Sequence, residues 1–310
     1  MRLRPFLWRS HGALALFFVC FLGTTPATSQ VVLDTRDDLD FDRPEAWALK
    51  YYSAVTQPTG FGSPSPVRPG SFDLGVEAGW VPDLSEEERR IGFYGTKVED
   101  LNKTSVFGRL RLTVGLPADF ALTLGYVPPV EVGGATPNLA SLSLVRPLWK
   151  GRSFEVGARV YVLGGTIEAD VTCPAEEARA GDDPVLNPFG CEAASEDEVS
   201  LLNAGLELGV SYRRDASARF EPYAALTVNR VDAEFQVNAR YRGLIDHTLE
   251  TTEGTTYSLT AGARWRVSER TGLAVEAFFA PLDLVRRPGA RREQQDLLNA
   301  RLLLTRRLRS

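Results

Sequence analysis

The sequence predicts an all-β chain: a ten-stranded antiparallel transmembrane β-barrel preceded by a short helical and linker segment. Three observations carry that prediction. From residue 71 onward most of the chain alternates between apolar and polar residues with a period of two, which gives a strand one greasy and one polar face. The stretches are joined alternately by tight and by long connections, the habit of barrels that cross a membrane. The chain also opens on an export leader.

In the leader, Met1 to Gly12 carries Arg2, Arg4 and Arg9 and no acid. Ala13 to Leu22 is apolar, and Ala27-Thr28-Ser29 supplies small residues for cleavage. The apolar run is too short to span a bilayer, so residues 1–29 read as a signal peptide. No later run reaches the eighteen or so apolar residues of a membrane helix, so embedding must use strands. Of 35 basic and 40 acidic residues, the leader removes three arginines, leaving a formal charge near −8. That balance excludes nucleic acid as a favoured partner. Cys173 and Cys191 lie close together in an exported chain and are expected to form a local disulfide. His247 is the one histidine outside the leader, too few ligands for a zinc site, and neither metal nor cofactor is expected.

Residues 30–70 come next. Asp42-Arg43-Pro44-Glu45 has the pattern of a helix start, with a cap residue, an early proline and a following acid. A helix over about 43–56 would place Trp47, Tyr51 and Val55 on one stripe. Gln57 to Gly70, rich in Pro, Gly and Ser, reads as a linker. The helix would either plug the barrel from the periplasmic side or lie outside it.

The barrel proper is expected over 71–310, with strands near 71–82, 105–116, 119–128, 138–148, 153–167, 198–213, 218–241, 244–267, 271–281 and 294–307. Leu110, Leu112 and Val114 share one face of the second, and Leu202, Leu206 and Leu208 one face of the sixth. Tight links fall at Pro117-Ala118, Lys150 to Arg152, Arg214 to Ser217 and Glu269-Arg270. Phe120, Trp149, Phe154, Tyr212, Phe220 and Trp265 cluster near these turns. Trp80, Tyr126 and Tyr257 fall near the opposite strand ends, which makes two interfacial belts.

With this strand count and loop alternation, residues 71–310 resemble the ten-stranded bacterial outer-membrane barrels, the architecture of the omptin proteases, and more broadly the outer-membrane channel and transporter barrels. The resemblance implies an outer-membrane location, lipopolysaccharide and other outer-membrane lipids as surroundings, and the barrel-assembly machinery as a partner. The omptins separate an Asp–His pair by one residue at the outer rim. Here Asp246 and His247 are adjacent and would face opposite sides of a strand. No Gly-x-Ser-x-Gly elbow occurs, so no catalytic residue is assigned.

The inward positions carry Asp73, Glu77, Glu155, Glu207, Glu221 and Glu276, opposed by Arg109, Arg111, Arg159, Arg264, Arg266 and Arg301. Such a lumen is either filled by ion pairs or lines a narrow pore. Ala121, Thr123, Gly125, Ser141 and Ser143 point inward as well and leave one sector of the wall empty. The leading functional expectation is a narrow channel or transporter-like pore for a small solute, occluded by the N-terminal segment. A filled barrel serving as a surface scaffold, adhesion or lipopolysaccharide-contacting protein is second, and an outer-membrane hydrolase third. The acidic third outer loop (168–197) and the arginines of the fifth, Arg286, Arg287, Arg291 and Arg292, are expected to be solvated or to attract each other. The sharper alternative gives the acids a divalent cation and the arginines lipopolysaccharide phosphates. Val231 to Tyr241 keeps the alternation beyond the membrane, so a β-hairpin should stand proud there.

Overall fold

The structure, a computed structural model, describes residues 31–62, 68–215 and 218–309. The leader and the middle of the linker lie outside these residues. Ten antiparallel strands form the wall: β1 (Phe72–Trp80), β2 (Val106–Gly115), β3 (Ala121–Val127), β4 (Ala135–Lys150), β5 (Phe154–Ala169), β6 (Asp197–Tyr212), β7 (Phe220–Gln236), β8 (Leu249–Arg266), β9 (Thr271–Ala280) and β10 (Leu297–Arg309). Each pairs with its successor, and β10 pairs with β1. The ring therefore closes, with every strand paired on both sides over at least part of its length.

Leu74, Val76, Leu110, Leu206, Leu259 and Leu304 stand about half exposed on the outer face. A continuous apolar belt of this kind is what lipid covers and water does not. Near the short turns, Phe154 packs tilted against Tyr212 at 5.0 Å and Phe220 against Trp265 at 5.2 Å between ring centres. Trp80, Tyr126 and Tyr257 are exposed at the opposite border. The chain is a transmembrane β-barrel.

Strands β4 to β8 run 16 to 18 residues, whereas about 9–11 suffice to cross a bilayer. The excess rises past the belt at the long-loop end, and there the apolar side changes face. On β7, Leu226 and Val228 point outward, but three residues later Val231 and Ala233 are fully buried inside while Arg230 and Asp232 are exposed. With Leu139, Leu163, Val199 and Leu201 they form an interior core.

That core receives helix α1 (Pro44–Thr56). Pro44 at its first turn suits a helix start, and Pro58, just beyond its end, cannot continue it. Trp47, Tyr51 and Val55 pack against Val81, Leu84, Phe278 and Leu282, whereas Leu49 packs on the tall strands. Trp47, Tyr51 and Val55 share one cluster, and every other residue of α1 except Tyr52 is buried as well, because the helix is surrounded rather than laid on a surface. The cap is a correction. Arg43 holds the N-cap position without a side-chain bond, and Asp42 pairs with Arg292 at 3.3 Å.

The direction of the segment differs from a plug pushed in at the short-turn end. Val31–Leu33 and Arg36–Asp38 run parallel to Leu244–Asp246 and the start of β8 at the long-loop end. The chain then descends through α1 to Gly62, which lies against Arg264, and the Gly70 N–H bonds to the Gly115 carbonyl beside the short turns. The described residues 31–62 thus run from the long-loop end down inside the barrel, and residues 68–70 lie at its short-turn end. The outer hairpin, Ala239–Tyr241 with Leu244–Asp246, does not stand free. It holds Val31–Leu33 on one side and bridges to Cys191 on the other. Cys173 and Cys191 form the expected disulfide, with Cα atoms 5.6 Å apart.

Candidate functional site: the occupied lumen

Below α1 the inner face turns polar, and alternation places the charged side chains on it. Glu77, with no exposed surface, receives Arg109 and Arg111, each at 3.1 Å. Arg159 grips Glu207 with two nitrogens, at 3.2 and 2.6 Å. Lower down, Glu221 binds Arg213 at 2.7 Å and Arg264 at 3.0 Å. Asp73 binds Arg307 at 3.1 Å, and Glu155 lies 3.9 Å from Arg213. Glu276 accepts from Tyr223 at 3.0 Å and from Thr59. Arg266, two residues beyond Arg264 on the same strand, lines the vestibule at the short-turn mouth, where it is exposed.

Four of these arginines reach past the wall to the backbone of the threaded segment. Arg109 donates to the Thr56 carbonyl, Arg111 to Thr59 at 3.0 Å and Arg159 to Pro58 at 2.7 Å. Arg301 takes the carbonyls of Gln57 at 2.6 Å, Ala54 at 3.0 Å and Val55 at 3.3 Å. The last carbonyls of a helix have no partner within it and carry partial negative charge. Two buried guanidiniums therefore serve the end of α1 while the remainder hold the extended stretch after it. Gln57 adds a bond to Ser258 at 2.8 Å. Higher up, Trp47 donates to the Gln295 carbonyl at 3.2 Å and Tyr51 to Pro82 at 3.1 Å, tying α1 to the first and fifth long loops.

The small-residue sector meets Gly60 to Gly62, not the helix. A cavity of about 140 Å³ remains there, between Phe61 and Thr123, Ser143 and Ala121, and a vestibule of about 310 Å³ opens at the short-turn mouth. A further cavity of about 390 Å³ lies at the long-loop end, lined in part by Glu45, Tyr52, Glu99 and Glu250. Water-sized space thus exists above and below, and residues 56–60 are what separates the two. Asn203, Thr227, Asn229 and Asn299 also line the interior, fully or nearly buried. They share the inward positions of their strands, so alternation marked them, but a search for charges passes over them.

The loops hold one another. Arg286 binds Glu293 at 2.9 Å and Glu87 at 3.4 Å, and Arg292 binds Asp283 at 2.5 Å. The fifth loop therefore engages the first loop and the N-terminal segment, not the acidic third loop. Asp246 accepts from Tyr241 at 2.5 Å and from the Thr248 N–H at 2.9 Å, while His247 faces outward onto Asn238 at 2.9 Å. Among the described residues no group of His, Cys, Asp or Glu is placed to hold a metal ion.

Glu99, in the first long loop, is buried beside Lys97. Burial pushes its carboxyl up to about 7, with Asp197 and Glu177 adding to the rise and Lys97 opposing it. A raised folded-state value means protonation favours the folded loop: its contribution is complete below about 4.5 and is lost as the pH rises through about 7. Hydrogen-exchange protection of the amides around residues 90–99, taken relative to the intrinsic rise of exchange with pH, is expected to fall across that window in the native chain. Glu99→Gln should flatten the dependence; an unchanged pH profile in that variant would assign it to another group.

No family model matches the chain, and no curated protein matches it. Among solved structures it is similar to the toluene transporter TodX of Pseudomonas putida, with 13% identity over 89% of this chain and 78% of that one at a TM-score of 0.32. It is also similar to the outer-membrane protease OmpT of Escherichia coli, 10% identical over 77% and 92%, TM-score 0.32. A third is Ail, the attachment invasion locus protein of Yersinia pestis, 10% identical over 77% and 98%, TM-score 0.27. At these scores the superpositions carry no argument about activity.

Proposed function

We propose that this protein is an outer-membrane channel or transporter-like pore held shut at rest by its own N-terminal segment. The observation that supports it is how the lumen is blocked. The obstruction is no part of the wall: it is a stretch of backbone hung by its carbonyls on Arg109, Arg111, Arg159 and Arg301, with space on either side. Hydrogen bonds to backbone carbonyls can be exchanged for water when the stretch is displaced, so such a block can yield without the barrel unfolding. The leader expected over residues 1–29 would deliver the chain to the periplasm and the barrel-assembly machinery, with the long loops outermost.

A second reading, a surface scaffold, has the folded roof in its favour: a disulfide and a three-stranded sheet order the loops. Exposed Arg287 and Arg291 would then meet lipopolysaccharide phosphates. A hydrolytic reading gains nothing from Asp246 and His247, which are engaged apart.

Single-channel recording in planar bilayers separates the readings. The mature chain is expected to open rarely, and a version lacking residues 30–70 to show frequent and larger discrete openings. Silence from both, with folding verified by heat-modifiable gel mobility, would sink the channel and favour the scaffold.

A further inference from the structure

The seam between β2 and β3 stops short of the wall's height. Their pairing covers only Leu110↔Tyr126 to Gly115↔Ala121. Yet β2 stays paired with β1 up to Val106, and β3 with β4 up to Val127. Above Tyr126 the two strands part, and an apolar cavity of about 240 Å³ fills the split. Tyr51, Val55 and Leu139 form its inner wall, and Val106, Gly108 and Val130 its mouth. The inner three are buried, whereas the mouth residues are exposed on the outer face. One space is thus lined from both sides of the wall, so it passes through it.

Trp80 is opposite Val106 in the register, which sets the mouth at the outer aromatic belt, where hydrocarbon gives way to headgroups. The roof over the split is held rather than frayed. The Gly133 backbone lies so close to the Lys103 carbonyl that a Cβ there would sit 1.9 Å from it. Lys103 itself is fixed by Asp100 and Asp170, both at 2.6 Å. With its ammonium so engaged, the one charged residue on the lining is neutralised, and the cavity offers a ligand mainly apolar contact, with the hydroxyl-bearing Thr56 and Thr104 at its border. A dry apolar cavity of about 150 Å³ accepts benzene, and this one is larger.

We propose that the cavity is a binding site for a small uncharged hydrocarbon, of about the size of a substituted benzene ring, that arrives from the membrane through the split between β2 and β3. As the substrate class of the pore this rests on the channel reading above; as a binding site it stands on the cavity alone. The site lies above the level of Arg109 and Glu77 and beside Thr56, on the long-loop side of the block, so its occupant waits where displacement of residues 56–60 would release it downward.

The test is fluorine NMR of fluorobenzene added to the full mature chain in lipid nanodiscs, with empty nanodiscs as reference. Saturable binding beyond lipid partition is expected, with toluene competing. Ala135→Phe, which fills the cavity, is expected to weaken it at least about tenfold. Gly108→Leu should narrow the mouth and weaken it as well. An added Cβ at Gly108 meets nothing nearer than the Glu77 carbonyl at 3.7 Å, so that variant keeps the test intact if the filled one misfolds. Identical partition with and without protein, or saturable binding indifferent to both variants, would overturn the site. Competition by a short-chain phosphatidylcholine as strong as that by toluene would make the occupant a lipid chain and overturn the assignment. Binding without conductance in either form would leave the site standing and remove the channel; conductance without binding would do the reverse.

Discussion

Glu77→Ala is expected to destabilise the barrel by about 3–5 kcal/mol, the cost of stranding a buried charge by removing its partner. Here one carboxylate serves two guanidiniums, Arg109 and Arg111, and all three are buried. Urea titration of the refolded protein in vesicles, followed by gel mobility, would measure the loss. Glu77→Gln keeps acceptor capacity but no charge and should fall between. The exposed pair Arg230–Glu253, at 2.8 Å, supplies the contrast, since Glu253→Ala should change stability by less than about 1 kcal/mol. Equal effects at the two sites would mean that water reaches the Glu77 level freely and that the interior is not closed there.

Arg301→Ala should act on the block rather than the wall. Its guanidinium donates to three carbonyls at the end of α1 and just beyond, and bonds to a charged donor contribute about 1.5–3 kcal/mol each. A net loss of even about 3 kcal/mol would raise the displaced fraction roughly a hundredfold. Full-length Arg301→Ala is therefore expected to conduct where the parent is quiet, and its linker after Phe61 to be cut faster by protease from the short-turn side. A variant that is less stable yet equally silent would show that Arg301 braces the helix without gating anything.

The wall was legible because its signal is repeated: each strand carries the same alternation, and the loop lengths settle which ends face the same way. The charged interior followed from the same count. The fate of residues 30–70 was harder to read, and the reason is visible in two places. In α1, Ala46, Ala48, Ala54 and Ser53 are small enough to be buried on any side, so the helix has no polar face to betray its position. On β7 the apolar positions shift from Leu226 and Val228 to Val231 and Ala233. That exchange of parity looks like a hairpin continuing into water, yet it marks where lipid stops lying outside the wall and an apolar helix begins inside it. The backbone anchoring of residues 56–60 left no trace in the sequence. Carbonyls belong to every residue, and only the threaded geometry selects which ones the arginines reach.

The strand that closes the ring also carries the residue that holds the helix's end. Because β10 pairs with β1 on one edge and β9 on the other, the ring stays open until Leu297–Arg309 is laid down. A helix with side chains is about 10 Å across, and this one bears Trp47, Tyr51 and Tyr52. It cannot be drawn lengthwise through a finished ring of ten strands, so it must be inside before the ring shuts. Closure of the seam and capture of the segment by Arg301 are therefore a single step in assembly, and a chain that zips up without its N-terminal segment in place has no later route to the closed state.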